Sequence, residues 1–174
     1  MLYLVVRVHL SLGSNLGDRW RHLQEGVQLL PHYGIVPIQV SSVYETAPVG
    51  ETPDPRPYLN VGLWAETPLE PLALLETVKH IERQMGRPPN TGRWLPRTLD
   101  IDIILYENLC LDTPMLTLPH PRMRTRAFVL IPLAELTPDL ILPDGTPLQT
   151  LLQNPTLKQQ EVKRFDAQLS LPSS

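Results

Sequence analysis

The chain has 174 residues, 42% hydrophobic and 19% charged, with a formal net charge of −3. One compact domain with a sizeable core fits that length, and the slight acidity argues against a general nucleic-acid or membrane binder, which carries a basic excess. Cys110 is the single cysteine, which excludes an intrachain disulfide and suits a reducing cytoplasm.

The apolar start, Leu2 to Leu12, is interrupted by Arg7 and His9 and lacks a small-residue cleavage site, so the chain is expected to be soluble and mature as written. No run approaches the roughly 20 apolar residues of a membrane span. Leu4, Val6, Val8, Leu10 and Leu12 alternate with Val5, Arg7, His9 and Ser11, which predicts a half-buried strand ended by Gly13-Ser14-Asn15. Leu16, Trp20, Leu23, Val27 and Leu30 recur at helical spacing and predict a helix to about Pro31. A second strand is expected over Ile35 to Tyr44, with Val36, Ile38 and Val40 on one face. Five residues between Glu45 and Pro57 are Pro or Gly, so that segment reads as a loop.

A third strand follows, with Leu59, Val61, Leu63 and Ala65 on one face and Tyr58, Asn60, Gly62 and Trp64 on the other. Thr67-Pro68-Leu69-Glu70 reads as a capping box with proline at the first helical position. Leu72, Leu75, Val78, Ile81 and Met85 form that helix's stripe, and Gly86 ends it. Residues 87–97 read as a loop rich in Pro, Gly and Arg. A strand from Thr98 to Tyr106 then turns Leu99, Ile101, Ile103 and Leu105 to the core. A short strand near Leu109 to Leu111, a helix over Thr125 to Leu136 and a tight turn at Pro143-Asp144-Gly145 complete the pattern.

The major elements run strand, helix, strand, strand, helix, strand. That order predicts an α+β fold of the ferredoxin-like β-α-β-β-α-β type, an antiparallel sheet with helices packed on it. With extra C-terminal elements the arrangement is expected to be three-layered, α/β/α-like. Residues 1–155 read as one domain, and 156–174 as a C-terminal surface helix or tail.

Chemistry concentrates in one quarter of the chain. Seven of the twelve arginines (Arg83, Arg87, Arg93, Arg97, Arg122, Arg124 and Arg126) lie between positions 83 and 126, which suggests a local anion site in an acidic protein. Within it, Asp100 and Asp102 stand two apart on a predicted strand and share a face. Paired carboxylates suit magnesium, which fills its octahedron with phosphate oxygens and water. A bare Asp-x-Asp also suits a solvated sheet face; Arg93 and Arg97 alongside favour the metal reading. His120 with Arg122, Arg124 and Arg126 makes a second candidate phosphate clamp, although a charge run is usually just a solvated face. Tyr58 and Asn60 offer an aromatic plane beside an amide. A flat heterocycle fits there, as does a plain core tyrosine with an edge asparagine. Gly13 to Asp18 lacks the Gly-Lys-[Ser/Thr] ending of a phosphate-binding loop.

In order, Leu12-Gly13-Ser14-Asn15-Leu16-Gly17-Asp18, Ser41 to Pro48, Tyr58-Leu59-Asn60, Arg93 to Asp102, Pro119-His120 and Arg126-Ala127-Phe128 resemble the dihydropterin pyrophosphokinases over roughly residues 4 to 145. The resemblance implies transfer of pyrophosphate from ATP to 6-hydroxymethyl-7,8-dihydropterin, by a protein expected to act as a monomer on small molecules alone, with no nucleic-acid or membrane partner. It implies two Mg2+ on Asp100 and Asp102, and triphosphate contacts from Arg87, Arg97, His120 and Arg126. It puts Trp94 on a loop closing over the nucleotide and Glu82 near that nucleotide. Tyr58 and Phe128 would sandwich the pterin, Asn60 would bond its polar edge, and Thr46 and Val49 would add backbone groups. The sequence departs from the family pattern at Leu95, Pro88-Pro89 and Met115.

Two other readings are an RNA-binding module and a ligand-sensing domain. The first needs an aromatic and basic motif that is absent here, and the second does not require a metal–phosphate site.

Overall fold

The computed structural model describes residues 4–47, 56–86 and 98–173. Strand β1 (Val6–Ser14) leads into helix α1 (Arg19–Leu29), whose N-cap Asp18 accepts the backbone N–H of Arg21 at 3.2 Å. A 3-10 turn, Leu30–Tyr33, ends at Gly34, whose φ of 84° is the left-handed conformation that glycine adopts without a Cβ clash. Then come β2 (Val36–Val40), β3 (Tyr44–Thr46), β4 (Tyr58–Thr67), α2 (Pro71–Gln84) and β5 (Asp100–Tyr106). A small ribbon of β6 (Leu111–Asp112) and β7 (Thr117–Leu118) precedes α3 (Ala127–Leu136), α4 (Leu148–Leu152), α5 (Pro155–Lys158) and β8 (Val162–Arg164).

The main sheet runs β5-β1-β4-β3-β8, with β2 pairing a further stretch of β4, and every pairing is antiparallel. Its two faces are covered differently. Val8, Leu10 and Leu12 of β1, the Leu59–Ala65 alternation of β4, and Ile101 and Ile103 of β5 pack with Leu23 and Val27 of α1 and Leu74, Val78 and Ile81 of α2. On the other face, α3 lies over Ile104 and Leu105 with Val129, Leu130 and Leu133. The protein is thus a mixed α/β structure, an antiparallel sheet with helices packed on it.

Several expectations are corrected. β1 does not break at Gly13 but continues to Ser14, because Gly13 and Ser14 pair with Asn60 and Leu59 of β4. The stretch expected as one strand over Ile35 to Tyr44 is two, and a register shift between Pro37 and Gln39 leaves Val36 and Ile38 exposed. Thr67 does not cap a helix. It ends β4, and its hydroxyl donates to Gly34 O at 2.7 Å, so the helix starts later with Pro71 in its first turn. Leu72 faces solvent and Leu74 takes its place in the core. Gly86 does terminate the helix, at φ 98°.

On β5 a bulge sends Leu105 to the α3 side. Leu105 pairs with His9 and Ile103 with Leu10, so Ile104 is the extra residue. Residues 156–174, expected as a surface helix or tail, include an edge strand. β8 extends the sheet beyond β3, and Glu135 of α3 ties that helix to β3 by accepting Ser42 N at 2.7 Å and Tyr44 OH at 2.5 Å. Arg164 donates to the Ser42 hydroxyl in the same cluster.

His9 lies under α3, 4% exposed, with Nε2 3.2 Å from the Thr137 hydroxyl. Burial, helped by the Arg7 charge, lowers its pKa from 6.5 to about 4. The unfolded chain therefore takes up this proton first as pH falls. The stabilisation from keeping His9 neutral is complete above pH 6.5 and is lost between 6.5 and 4. In urea titrations at pH 7 and pH 4.5, His9→Gln should shrink the pH-dependent loss of unfolding free energy by about 2 kcal/mol. An unchanged difference would show that His9 does not titrate this way.

Candidate active site

The sheet face opposite α1 and α2 is only partly roofed by α3. Gly62 lies beneath it, where an added Cβ would meet Pro132 at 3.0 Å, and at the far end of the face Asp100 and Asp102 are half-buried. Antiparallel register fixes what lies there. Asp100, Gly13 and Asn60 form one row across β5, β1 and β4, and Asp102, Ser11 and Gly62 form the next. Side chains in these rows point away from the α1/α2 core, because Leu12, Ile101 and Val61 between them point into it. With strands ~4.8 Å apart, Asp100 and Asn60 stand roughly 10 Å apart, and the two aspartates about 7 Å.

Gly13 is the floor of this site. An added Cβ there would lie 2.9 Å from Asn60 Oδ1 and 3.3 Å from Tyr58 Cδ1. Its bare Cα lets the Asn60 amide and the Tyr58 ring lie close over the backbone of β1, on the side of the row away from Asp100. Asn60 is itself buried and oriented, since its Nδ2 donates to Thr46 Oγ1 at 2.6 Å. That bond turns Oδ1 toward Gly13. Thr46 pairs with Tyr58 in the β3–β4 register, so Thr46, Tyr58 and Asn60 form one contiguous group.

The opposite wall comes from the segment before α3. The bulge residue Ile104 accepts the backbone N–H of His120 at 2.9 Å, which fastens that segment to the edge of β5. A cis bond joins Leu118 and Pro119 just before it. Burial lowers the His120 pKa to about 4, with Arg126 and Arg122 adding to the effect and Asp100 opposing it. His120 is therefore neutral at pH 7. Its Nδ1 accepts Arg122 N at 3.1 Å, so the proton sits on Nε2, leaving one ring N–H to donate. Arg126 caps α3, and its guanidinium lies 5.4 Å from the Phe128 ring centroid.

Of the residues singled out from sequence, Thr46, Tyr58, Asn60, Asp100 and Asp102 are on the sheet strands, His120 and Arg126 are in the segment before α3, and Phe128 is in the first turn of α3. Glu82 is elsewhere, 6% exposed within α2, with Oε2 accepting Ile101 N at 2.8 Å. Val49, Arg87, Trp94 and Arg97 lie outside the described residues. Gly13 was missed as a site residue because it read as a strand breaker; its place between Asp100 and Asn60 in one cross-strand row needs the register. Arg124 is engaged away from the site, 2.6 Å from the exposed Asp144. Among the described residues no group of three His, Cys, Asp or Glu side chains comes together, and no helix is long and apolar enough to cross a membrane.

Fold and site together define a layered α/β protein in which two carboxylates share one face of an antiparallel sheet, with Asp100 and Arg126 both close enough to His120 to act on its charge. A profile of the 7,8-dihydro-6-hydroxymethylpterin-pyrophosphokinase (HPPK) family matches residues 9–138. The 2-amino-4-hydroxy-6-hydroxymethyldihydropteridine pyrophosphokinase of Bacillus subtilis (strain 168) is 45% identical over 129 residues, 74% of this chain and 76% of its own. The protein of the same name from Pseudomonas aeruginosa is 43% identical over 152 residues, 86% of this chain and 91% of its own. The chain belongs to the HPPK family.

A solved structure, Plasmodium falciparum HPPK-DHPS wild type with pteroate, superposes with a TM-score of 0.68 at 15% identity. The match covers 92% of this chain but only 46% of that one, so this chain spans about half the solved chain it resembles in fold.

Proposed function

We propose that this protein transfers pyrophosphate from ATP to 6-hydroxymethyl-7,8-dihydropterin, giving AMP and the pterin diphosphate for tetrahydrofolate synthesis. The observation that carries the reading is the sheet row Asp100–Gly13–Asn60. It sets the Asn60 amide about 10 Å from Asp100 along one sheet face, which supports a flat heterocycle at Asn60 and the metal at the aspartates, in a chain 43–45% identical to enzymes named for this reaction.

The donor set fits magnesium. Asp100 and Asp102 offer hard oxygens on one half-buried face, and magnesium binds through a few carboxylates, completing its shell with phosphate and water. Asp100 and Asp102 are the residues to hold two Mg2+, which when bound neutralise the charge on the transferring phosphate. Tyr58 and Phe128 enclose the pterin ring. Asn60 Oδ1 accepts from its polar edge, and Thr46 and Val49 add backbone groups. The pterin hydroxymethyl then points at the carboxylates, and its oxygen attacks the β-phosphorus of ATP in line. The new O–P bond forms as the bond from the β-phosphorus to the α,β-bridging oxygen breaks; AMP leaves with that oxygen, and the hydroxyl proton is released. His120 Nε2–H donates to a phosphate oxygen, while Arg87, Arg97 and Arg126 supply charge. Trp94 closes over the nucleotide.

In the same reading the fold is ferredoxin-like, supported by the order β5-β1-β4-β2 of its four major strands. Residues 1–155 form the catalytic domain, which acts as a cytoplasmic monomer without nucleic-acid or membrane partners, and residues 156–174 form its C-terminal support. Incubation with ATP, magnesium and the pterin alcohol, followed by separation of nucleotides, tests the reaction. Pterin-dependent AMP without ADP is expected. ADP would mean ordinary phosphoryl transfer, and no pterin-dependent product from folded protein would mean a different function.

A further inference from the structure

β5 ends the strand order of the main sheet, so alternate backbone groups on its outer edge have no neighbouring strand. The N–H of Ile101 points outward in this way. It lies in the peptide between the two residues before Asp102 and directly after Asp100. This group does not reach water. α2 packs beside it, and Glu82, buried at the core end of that helix, accepts it at 2.8 Å. Ile101 itself is in the α1/α2 core and Leu99 is fully buried. The strand is therefore held from its side-chain face, from β1 on one edge, and from Glu82 on the other.

The geometry points to Glu82 as a positioning residue that sets the spacing and direction of the Asp100 and Asp102 carboxylates by fixing the peptide between them. This rests on the reading of those carboxylates as magnesium ligands. Burying a carboxylate is costly unless it is hydrogen-bonded, and a buried backbone N–H needs a partner. Glu82 supplies the partner that the Ile101 N–H needs, and the contact falls one residue from both aspartates. A displacement of about 1 Å in such a constellation is enough to cost ~10²-fold in rate. A positioning role needs an acceptor oxygen at this point, whereas direct contact with the nucleotide's arginines or metals would need the negative charge.

Glu82→Gln keeps the acceptor and removes the charge, and Glu82→Leu removes both. Both are to be made in the complete chain and compared for Ile101 amide exchange, calorimetric affinity for a non-hydrolysable ATP analogue with magnesium, affinity for the pterin alone, and turnover. Glu82→Leu is expected to speed Ile101 exchange at least ~10-fold, weaken the magnesium–analogue complex about 10-fold and lower kcat ~10–10²-fold, with pterin affinity within about twofold. Glu82→Gln should restore Ile101 protection and bring kcat to within about threefold of the parent. The inference is overturned if Gln protects Ile101 yet turns over as poorly as Leu, or if Leu leaves analogue affinity and kcat unchanged. If the Leu variant does not fold, Ile101 exchange and turnover of the Gln variant decide alone. A parent protein that makes no AMP would sink the pyrophosphokinase reading, and Ile101 protection would still report whether Glu82 fixes the strand.

Discussion

Asp102→Ala is expected to lower turnover by ~10²–10³-fold, the usual cost of removing one strong electrostatic contact to a transition state. Asp102 is half-buried on the sheet face opposite α1 and α2, paired through the backbone with Ser11 of β1. Neither its backbone hydrogen bonds nor the packing of Ile101 and Ile103 beneath it depends on the carboxylate. A small residue in its place leaves the sheet intact, and the thermal midpoint should move by no more than a few degrees, as for surface changes away from the core. Asp100→Ala should behave in the same way, and the two losses should not add, because both carboxylates hold one metal–phosphate cluster. Steady-state kinetics beside thermal unfolding checks this. A folded Asp102→Ala protein with parental turnover would remove the metal assignment.

The second large effect is expected at Gly13. Valine suits a central strand, so Gly13→Val should not unfold β1. Its Cβ, however, would meet Asn60 Oδ1 at 2.9 Å and Tyr58 Cδ1 at 3.3 Å. The amide is held on its other side by Thr46, so it cannot retreat without breaking that bond. We expect kcat/KM for the pterin to fall by about 10²-fold, the scale set by a ~1 Å misplacement. Affinity for the ATP analogue should stay within about threefold of the parent, because the added methyls enter on the Asn60 side of the row. Loss of nucleotide affinity with intact pterin binding would contradict this division of the site.

Much of this was legible in the sequence because it rests on period. Alternation over Leu59 to Ala65 and over Leu99 to Ile103 marks strands with one buried face, and it puts Asp100 and Asp102 together on the other. Gly86 ends α2 as its conformational freedom suggests. What period does not carry is register. The bulge at Ile104 reverses the facing of Leu105 and supplies the carbonyl that fastens His120. The shift within β2 exposes Val36 and Ile38. Gly13, a turn signal in isolation, instead lies between Asp100 and Asn60 in one cross-strand row. The capping-box pattern at Thr67 failed because tertiary structure claimed the hydroxyl, which bonds Gly34 O. Glu82 shows the same limit. Its position on a predicted helix said nothing of the strand edge it meets 19 residues later.

The most direct test is anomalous diffraction from crystals grown with Mn2+, a non-hydrolysable ATP analogue and 6-hydroxymethyl-7,8-dihydropterin. Manganese peaks are expected within coordination distance of the Asp100 and Asp102 carboxylates, with the pterin ring over Gly13 beside Asn60. Manganese bound elsewhere, with both carboxylates facing solvent, would contradict it.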